Sequence, residues 1–242
     1  MTSTRVTQIL SSAIDGSTSA TDAPHRLVTA CAQALPVTGV GLALMSGHNS
    51  AGTVAITDGA AGTMEDLQFT LGEGPCIECS STGRPILQPD LARTGPGRWP
   101  GFSAGALEAG IRAIFAFPLR VGGISLGVLD LYRDTAGELS DAELTEALSF
   151  ADAATALLVH LQDQASDDSS GLGAIEVIED RAEVHQATGM ISVQAGVGMA
   201  EALIRLRARA FASERPILDL ARDVLDGVVS FAETYDDDVD GH

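Results

Sequence analysis

The segment AIFAFPLRVGGISLGVLDLY, residues 113–132, decides the fold of the larger part of this chain. Apolar side chains alternate with others through its first half, a Gly-Gly pair follows, and strand-forming residues resume after it. Alternation with a period of two indicates a strand, and a short glycine turn between two such runs is typical of a β-hairpin. We therefore expect an antiparallel pair of strands here.

A second hairpin is predicted upstream, where apolar residues alternate over residues 40–44 and 54–56 on either side of turn-forming residues 46–50. An amphipathic helix with Asp22 as its N-cap is predicted over residues 22–35. Residues 57–112 are rich in glycine and show no clear period, so they are expected to be irregular.

The pattern Ser140-Asp-Ala-Glu143 is a capping box and predicts a helix that ends near residue 163. Helix, hairpin, irregular middle, hairpin and helix together predict an α+β domain over residues 1–162, with helices lying against an antiparallel sheet. Because isolated acids on strands are usually solvated, we expect Asp130 on a polar face of this sheet, the alternative being a ligand-pocket carboxylate.

The composition changes after this domain. Residues 163–174 have the Ser, Gly and Asp content of a flexible linker, residues 175–232 show only helical spacing, and residues 233–242 form an acidic tail. Three short amphipathic helices are predicted to form a small all-α bundle. Its predicted core residues are Val177, Val184, Ala187, Ile191, Met199, Ala202, Leu203, Leu206, Ala210, Ile217, Leu220, Ala221, Val224, Leu225 and Val228.

The middle helix of the bundle has a second apolar face, which contains Ile204 and Phe211. That face requires the third helix, another subunit or a ligand to cover it. Arg205 and Arg209 lie on one flank and Arg207 on the other. These arginines are either solvated and paired with acidic neighbours, or they contact the phosphates of RNA while an aromatic side chain stacks on a base.

The charge distribution singles out this bundle. The chain has 14 basic residues, all of them arginine, against 33 acidic residues, which gives a net charge of −19. A field of that sign repels nucleic acid. Residues 181–225, however, contain six arginines and five acidic residues, so this segment has a net charge of +1 and differs in sign from the chain as a whole.

The order of residues in the bundle resembles the ANTAR domain, a three-helix RNA-binding module of bacterial transcription antiterminators. The resemblance rests on Ala-Thr-Gly-Met at 187–190, Glu-Ala-Leu-Ile-Arg-Leu-Arg-Ala-Arg-Ala at 201–210, and Leu-Ala-Arg-Asp-Val at 220–224. Two departures stand out: Thr188 occupies a position where many members carry lysine on the expected RNA face, and Gly198 replaces a polar helix cap.

The first domain resembles GAF domains that precede ANTAR modules in high-GC Gram-positive bacteria. This resemblance rests on Leu-Gly-Glu-Gly-Pro-Cys at 71–76, Ser-Thr-Gly-Arg-Pro at 81–85, and Gly-Val-Leu-Asp-Leu-Tyr at 127–132. The signature of the cyclic-nucleotide branch is absent from the sequence, which disfavours that ligand.

The two resemblances imply a signal-responsive regulator in which a GAF sensor gates a dimeric ANTAR module that binds paired RNA hairpins and prevents a terminator from forming. The GAF cofactor or ligand stays unknown, and a small molecule is one option. The RNA-binding residues implied are Arg181, His185, Arg205, Arg207, Arg209 and Arg222. An alternative is a GAF-based sensor whose helical module binds a protein partner.

Cys76 and Cys79 are candidate redox residues. If Gly74-Pro75 opens a short helix, its dipole would lower the pKa of the Cys76 thiol, which would suit a redox sensor or, as a further alternative, a GAF-type methionine sulfoxide reductase. The other reading is two packed side chains. A single C-x-x-C and scattered histidines do not predict a metal site.

Other classes of function are disfavoured by the sequence. It shows no catalytic triad, paired carboxylates or phosphate loop, so we expect no enzyme. Neither a membrane span nor a secretory signal is visible, and three cysteines suit a reducing compartment, so we expect a cytoplasmic protein with no membrane partner. Trp99 lies in a loop that either covers a binding site or is pinned to the core by its aromatic ring.

Overall fold

A five-stranded antiparallel sheet organises the first part of the chain in the computed structural model, which describes residues 3–14, 22–46, 49–57, 59–167, 182–213 and 215–232. Contacts divide the chain into two compact units, residues 1–178 and 179–242. The strands are β1 (Gly39–Ser46), β2 (Asn49–Ile56), β3 (Ile86–Gln88), β4 (Ala113–Val121) and β5 (Ile124–Arg133). The helices of this unit are α1 (Thr4–Ile14), α2 (Asp22–Ala34), α3 (Ala60–Leu71), α4 (Pro75–Thr82), α5 (Leu91–Arg98), α6 (Pro100–Glu108) and α7 (Asp141–Asp167).

The strand order β2-β1-β5-β4-β3 confirms both predicted hairpins. β1 pairs with β2 and β4 pairs with β5, and β5 also pairs with β1, so the second hairpin lies in the centre of the sheet. In this register Asp130 lies between Gly41 of β1 and Ala116 of β4. Its position is therefore central in the sheet.

Both faces of the sheet are covered by helices. α1, α2 and α7 lie over one face, where Phe115, Phe117 and Leu129 join a core that includes Cys31. The helices α3 to α6 cover the other face, where Ile114 and other alternate strand residues contribute to a second core. A strand buried on both faces places every side chain in one core or the other.

The prediction that Asp130 lies on a solvated face is wrong for this reason. Its side chain is completely buried beneath the second helical layer. Residues 57–112, expected to be irregular, supply most of that layer as α3, α4, α5 and α6, together with β3. The expectation that residues 57–112 are irregular is therefore also wrong.

The predicted ends of the flanking helices agree closely with the structure. α2 begins at Asp22, and the capping box at the start of α7 is formed, because the Ser140 N–H donates to Glu143 Oε2 at 2.7 Å and the Glu143 N–H donates to Ser140 Oγ at 3.3 Å. α7 continues to Asp167, past the predicted end near residue 163. The rest of the predicted linker, residues 168–174, and the acidic tail, residues 233–242, lie outside the described residues.

The second unit contains the three predicted helices, α8 (Ala182–Ala195), α9 (Met199–Ala212) and α10 (Ile217–Leu225). Each contacts the other two. Met199 and Val228 were expected in the core but are 52% and 73% exposed, since Met199 starts α9 and α10 ends before Val228. Leu225 is only partly buried, and Val177 lies outside the described residues. The remaining predicted core residues are buried: Val184, Ala187, Ile191, Ala202, Leu203, Leu206, Ala210, Ile217, Leu220, Ala221 and Val224.

The described helices include one, α7, that is long and apolar enough over Asp141–Asp163 to cross a membrane by length and composition. Its apolar residues Phe150, Leu157 and Leu158 are buried in the core against the sheet. Core packing therefore accounts for its composition. α8 and α9 pass the same test only as a pair, and they meet at a bend of 105°.

Candidate functional sites

A group of buried polar side chains lies between the sheet and its second helical layer. We call it the polar latch and define it as Glu65, Gln68, Cys76, Asp130 and Tyr132. The Tyr132 hydroxyl donates to Glu65 Oε1 at 2.9 Å and accepts from Gln68 Nε2 at 3.3 Å. Gln68 Oε1 in turn accepts from the Cys76 N–H at 2.7 Å. The latch therefore joins β5, α3 and α4 through one chain of hydrogen bonds.

The local sequence explains this arrangement. Gly74 caps α4 and Pro75 occupies its first position, so the free N–H of Cys76 points toward Gln68. Gly41 lies on β1 directly beneath Glu65, where a β-carbon would collide with the Glu65 carboxylate. Because Gly41 is also the strand partner of Asp130, the glycine brings the two carboxyl groups close together.

The electrostatics of the latch are dominated by burial. Desolvation first, and then the neighbouring Glu65, raise the pKa of Asp130 well above its ordinary value, while the Cys76 thiol acts in the opposite direction. Neither Asp130 oxygen accepts a hydrogen bond of normal geometry in the described structure. Burial and the same two carboxylates also raise the pKa of Tyr132. Asp130 and Tyr132 therefore hold their protons more tightly than they would in water.

The two candidate redox cysteines lie on α4, and both are buried. Gly74-Pro75 does open a helix at Cys76, as expected. The expected lowering of the Cys76 pKa is nevertheless wrong, because burial and the negative charges of Asp130 and Glu65 raise it well above the ordinary value. Burial and Asp130 likewise raise the pKa of Cys79. Both side chains are therefore thiols rather than thiolates at neutral pH.

Trp99 is pinned to the core, one of the two alternatives that its sequence left open. It is 3% exposed at the junction of α5 and α6, and its Nε1 donates to Glu78 Oε2 of α4 at 3.1 Å. The Arg98 guanidinium stacks 4.6 Å from its ring centroid and also pairs with Glu78. Trp99 thus ties α5 and α6 to the helix that carries Cys76.

The family comparison agrees with this fold. The pattern of the GAF domain matches residues 21–159, which is more than half of the chain. The chain belongs to the GAF domain family. GAF domains serve as sensor domains in regulatory proteins, and the latch lies within the matched residues. No curated protein matches the chain.

Solved structures show the same architecture. The GAF domain of a phosphoenolpyruvate-protein phosphotransferase from Acinetobacter has 12% identity and a TM-score of 0.51, covering 67% of this chain and 95% of its own. That of the corresponding Coxiella burnetii protein has 16% identity and a TM-score of 0.50, covering 68% and 99%. At these identities the likeness establishes the GAF fold alone.

The GAF domain also has a cavity of about 330 Å³ beside β3 and the start of α7. Phe115 belongs to the core under α7, so this cavity opens on the sheet face opposite the latch. Its volume is sufficient for a small ligand. The cavity is lined by Leu87, Pro89, Phe115, Glu138, Leu139 and Leu144.

Two of the predicted RNA-binding arginines in the second unit are paired with carboxylates. Arg205 pairs with Glu201 one turn earlier on α9 at 2.6 Å. Arg222 of α10 pairs with Glu183 of α8 at 2.7 Å, and its Nη1 atom lies 3.7 Å from Asp219. All of these side chains are at least one third exposed, so the pairs are surface ion pairs.

The other two arginines of α9 differ from each other. Arg209 is exposed, its Nη1 donates to the Ser230 carbonyl at 3.3 Å, and its guanidinium lies 5.1 Å from the centroid of the Phe231 ring. Its contacts within the described residues include no carboxylate. Arg207 is half-buried with its Nη2 atom shielded from solvent, so its guanidinium is less accessible than expected. Phe231, which sequence reasoning missed, follows α10 and carries no helical signal.

The remaining predictions for the RNA face concern α8. His185 is exposed on this helix, whereas Arg181 lies outside the described residues. Thr188 is 3% exposed and its Oγ1 donates to the Val184 carbonyl at 2.6 Å. Thr188 therefore belongs to the bundle core in this chain.

An apolar stripe runs along the outer side of α9. We define it as Ala200, Ile204, Ala208 and Phe211, which recur at intervals of four, four and three residues. Ile204 is 61% exposed and Phe211 is 70% exposed, as the sequence predicted for the second apolar face. Among the described residues, no group of three or more His, Cys, Asp or Glu side chains is placed to hold a metal ion.

Proposed function

We propose that this chain is a signal-responsive RNA-binding regulator. In this proposal the GAF domain receives a signal, and residues 175–232 act as an ANTAR module that binds tandem RNA hairpins and so controls transcription termination. The support is the resemblance of this segment to ANTAR domains, together with the burial of its motif residues. Ala187 of α8, Leu206 and Ala210 of α9, and Leu220 and Val224 of α10 all form the core of a three-helix bundle.

The observation that carries the proposal is the position of Arg209. An exposed arginine stacked on an aromatic ring, with no carboxylate among its described contacts, retains its full charge for a phosphate. Arg205 and Arg222 have only surface ion pairs, each contributing about 0.2–1 kcal/mol. Exchanging such a carboxylate for a phosphate requires little free energy, so these two arginines are proposed to join Arg209 on RNA.

Arg209→Ala tests this assignment in the full chain. Binding to a tandem-hairpin RNA, recovered by RNA pull-down and sequencing, is measured at several salt concentrations. Loss of one charge-assisted contact should weaken binding about tenfold and reduce the salt slope by about one. The matched control is Arg93→Ala in the GAF domain, whose side chain is 74% exposed. An unchanged Kd and salt slope for Arg209→Ala, or an equal effect of Arg93→Ala, would contradict the proposal.

A second candidate function follows from the apolar stripe on α9. An exposed row containing Ile204 and Phe211 suits a protein surface, and a second copy of the chain is the proposed occupant, which makes the regulator a homodimer. If the stripe instead binds a different protein and the module has no RNA target, the pull-down recovers nothing above background. Native mass spectrometry of the purified chain tests the dimer.

We also propose that the protein acts in the cytoplasm and is not an enzyme. Buried thiols with raised pKa values make poor nucleophiles, which disfavours a methionine sulfoxide reductase based on Cys76 and Cys79. Incubation with free methionine sulfoxide and a dithiol reductant should form no methionine. Catalytic turnover lost in Cys76→Ser would contradict this part of the proposal.

A further inference from the structure

The chain reverses its direction directly after α10. Gly227 has a φ of 73°, in the left-handed region that glycine adopts at low cost. The N–H groups of Val228 and Val229 both donate to the Asp223 carbonyl, at 2.8 and 3.0 Å. Hydrogen bonds of this kind are typical of a helix that ends at a glycine. The chain therefore leaves α10 in a defined direction.

Residues 230 and 231 then contact the other two helices of the bundle. The Phe231 N–H donates to Gln194 Oε1 of α8 at 3.0 Å. Arg209 of α9 donates from Nη1 to the Ser230 carbonyl at 3.3 Å, and its guanidinium lies 5.1 Å from the centroid of the Phe231 ring. The chain that follows Phe231 thus starts beside the Arg209 guanidinium.

This following segment is strongly acidic. Residues 233–242 contain five Asp and Glu residues and no Lys or Arg, and Glu233 comes two positions after Phe231. An extended chain spans at most about 3.6 Å per residue, which allows about 7 Å between Phe231 and Glu233 and about 25 Å between Phe231 and Asp238. The acidic side chains of this segment can therefore reach Arg209 while the bundle stays folded.

Arg209 has no carboxylate among its described contacts, because the acidic side chains described in this unit lie elsewhere. Four of these five side chains pair with other arginines, and the fifth, Asp226 at the end of α10, forms no ion pair within the described residues. The pairs are Glu201 with Arg205, Asp223 with Arg215, and Glu183 and Asp219 with Arg222. The charge of Arg209 is thus open to an anion.

We propose that residues 233–242 bind the arginine surface of α9, which we define as Arg205 and Arg209, and that RNA has to displace them. The two arginines are four residues apart and so lie on the same flank of the helix. In this arrangement the carboxylates occupy the place of RNA phosphates. The inference rests on the proposed function and adds a regulation of the same site.

The strength of this contact follows from its tether. Because the acidic segment belongs to the same chain, its binding is intramolecular and needs only weak pairs. One exposed ion pair changes an equilibrium by up to about fivefold, so one or two pairs favour the bound state by about two- to tenfold. RNA offers many phosphates and can displace the segment. The Kd for RNA is then raised by the reciprocal of the fraction of chains in which the arginine surface is free.

Modification of arginine by phenylglyoxal, an uncharged reagent, measures this contact without RNA. The modification rate of Arg209 in the full chain is followed by peptide mass spectrometry. It is divided by the rate of Arg93 in the GAF domain, whose side chain is 74% exposed. This labelling ratio rises when the acidic segment leaves Arg209.

Two variants with the same change in net charge are compared with the parent chain. Both keep the full length of the chain, and each loses three carboxylates. The segment variant carries Asp236→Asn, Asp237→Asn and Asp238→Asn. The control variant loses three exposed carboxylates of the GAF domain and carries Glu108→Gln, Asp134→Asn and Asp152→Asn.

At roughly 50 mM salt, the labelling ratio of the segment variant should be about two- to tenfold higher than that of the parent chain. The difference should disappear near about 1 M salt, where the Debye length is about 3 Å. The control variant should match the parent chain. The Kd for tandem-hairpin RNA, relative to the control variant, should fall by the same factor as the labelling ratio rises, since both report the free fraction of the arginine surface.

A labelling ratio at low salt that is equal in the segment variant and the parent chain overturns the proposal. An equal rise in the control variant does so too. A raised labelling ratio with the same RNA affinity in both variants overturns the competition with RNA. Absence of RNA binding by every chain contradicts the proposed function instead, and the labelling ratio still decides whether the acidic segment contacts Arg209.

Discussion

Tyr132→Phe removes a single hydroxyl from the centre of the GAF domain. The aromatic ring is fully buried and stays in place, so the substitution creates almost no cavity. What is lost is one donor to Glu65 and one acceptor for Gln68, at 2.9 and 3.3 Å. The loss of a hydrogen bond to a charged group costs about 1.5–3 kcal/mol and that of a neutral one about 0.5–1.5 kcal/mol. We expect the free energy of unfolding to fall by about 2–4 kcal/mol.

The assay is urea unfolding followed by the fluorescence of Trp99, the only tryptophan of the chain. Because Trp99 is buried in the core that contains Tyr132, its emission reports the GAF domain. The midpoint should shift to lower urea while the slope stays unchanged. Ser149→Ala is the control, since it removes a hydroxyl that bonds the Thr145 carbonyl on the outside of α7, and it should change stability by less than about 0.5 kcal/mol.

A loss below about 0.5 kcal/mol in Tyr132→Phe would refute the argument. It would mean that Glu65 and Gln68 find other partners, or that the Tyr132 hydroxyl does not connect β5 with α3. A loss equal to that of Ser149→Ala would lead to the same conclusion.

Ser140→Ala should destabilise the GAF domain by about 1 kcal/mol through loss of the cap at Glu143, measured by Trp99 fluorescence. A Ser140→Ala variant as stable as the parent chain would argue against the side-chain cap. The backbone N–H of Ser140 lowers the pKa of Glu143 below its ordinary value of 4.5. The stability contributed by this backbone bond is therefore present above pH 4.5 and is lost as the pH falls and Glu143 becomes protonated. Leu206→Ala, at a fully buried position of α9, should lower the free energy of unfolding of the second unit by about 2–5 kcal/mol. The helical circular dichroism signal of this unit should then be lost at a lower urea concentration than in the parent chain. Phe211→Ser, at a position that is 70% exposed in the single chain, should change the free energy of unfolding by less than about 0.5 kcal/mol at concentrations where the chain is monomeric, and should weaken the proposed dimer in native mass spectrometry; a larger loss in the monomer would show that this ring packs within the chain. Gly83→Ala, at a position with φ of 64°, should cost about 1–2 kcal/mol in urea unfolding, and a neutral result would contradict the left-handed cap after α4.

The hairpins and the flanking helices could be predicted because their signals are local. Alternation along β4 and β5 and the reciprocal cap of Ser140 and Glu143 each involve residues close in sequence. The three helices of the second unit were predicted for the same reason. Their apolar positions recur at helical intervals, and the described residues that were misassigned lie at the helix ends: Met199 and Val228 are exposed, and Leu225 is only partly buried.

The second helical layer, formed by α3 to α6, could not be predicted from periodicity. α5 has the sequence LARTGPGR, in which two glycines and Pro96 oppose helix formation, so its helix depends on tertiary packing. α4 has only eight residues, too few for a clear apolar stripe. The available signals were terminal ones: Pro75 at the start of α4, Pro100 at the start of α6 and Gly83 after α4.

The polar latch forms only because α3 and α4 cover the sheet, so it could not be predicted without these helices. Glu65 and Tyr132 are 67 positions apart, and nothing in either local sequence indicates that they meet. Asp130 was singled out only as an acid within an apolar strand, and its burial depends on α3 and α4. The ion pair of Arg222 with Glu183, 39 positions away, is likewise a product of the fold.

The two outer strands of the GAF sheet bear on how copies of this protein can associate. β3 has only three residues, and the pairing of β2 with β1 is interrupted by two register shifts. A short edge and an irregular edge both offer poor templates for a strand from another molecule. Pairing of the sheet with a strand from another molecule is therefore unfavourable at both edges. Fibril formation through the native sheet is unfavourable for the same reason. Helical surfaces are the favoured route by which copies of the protein associate.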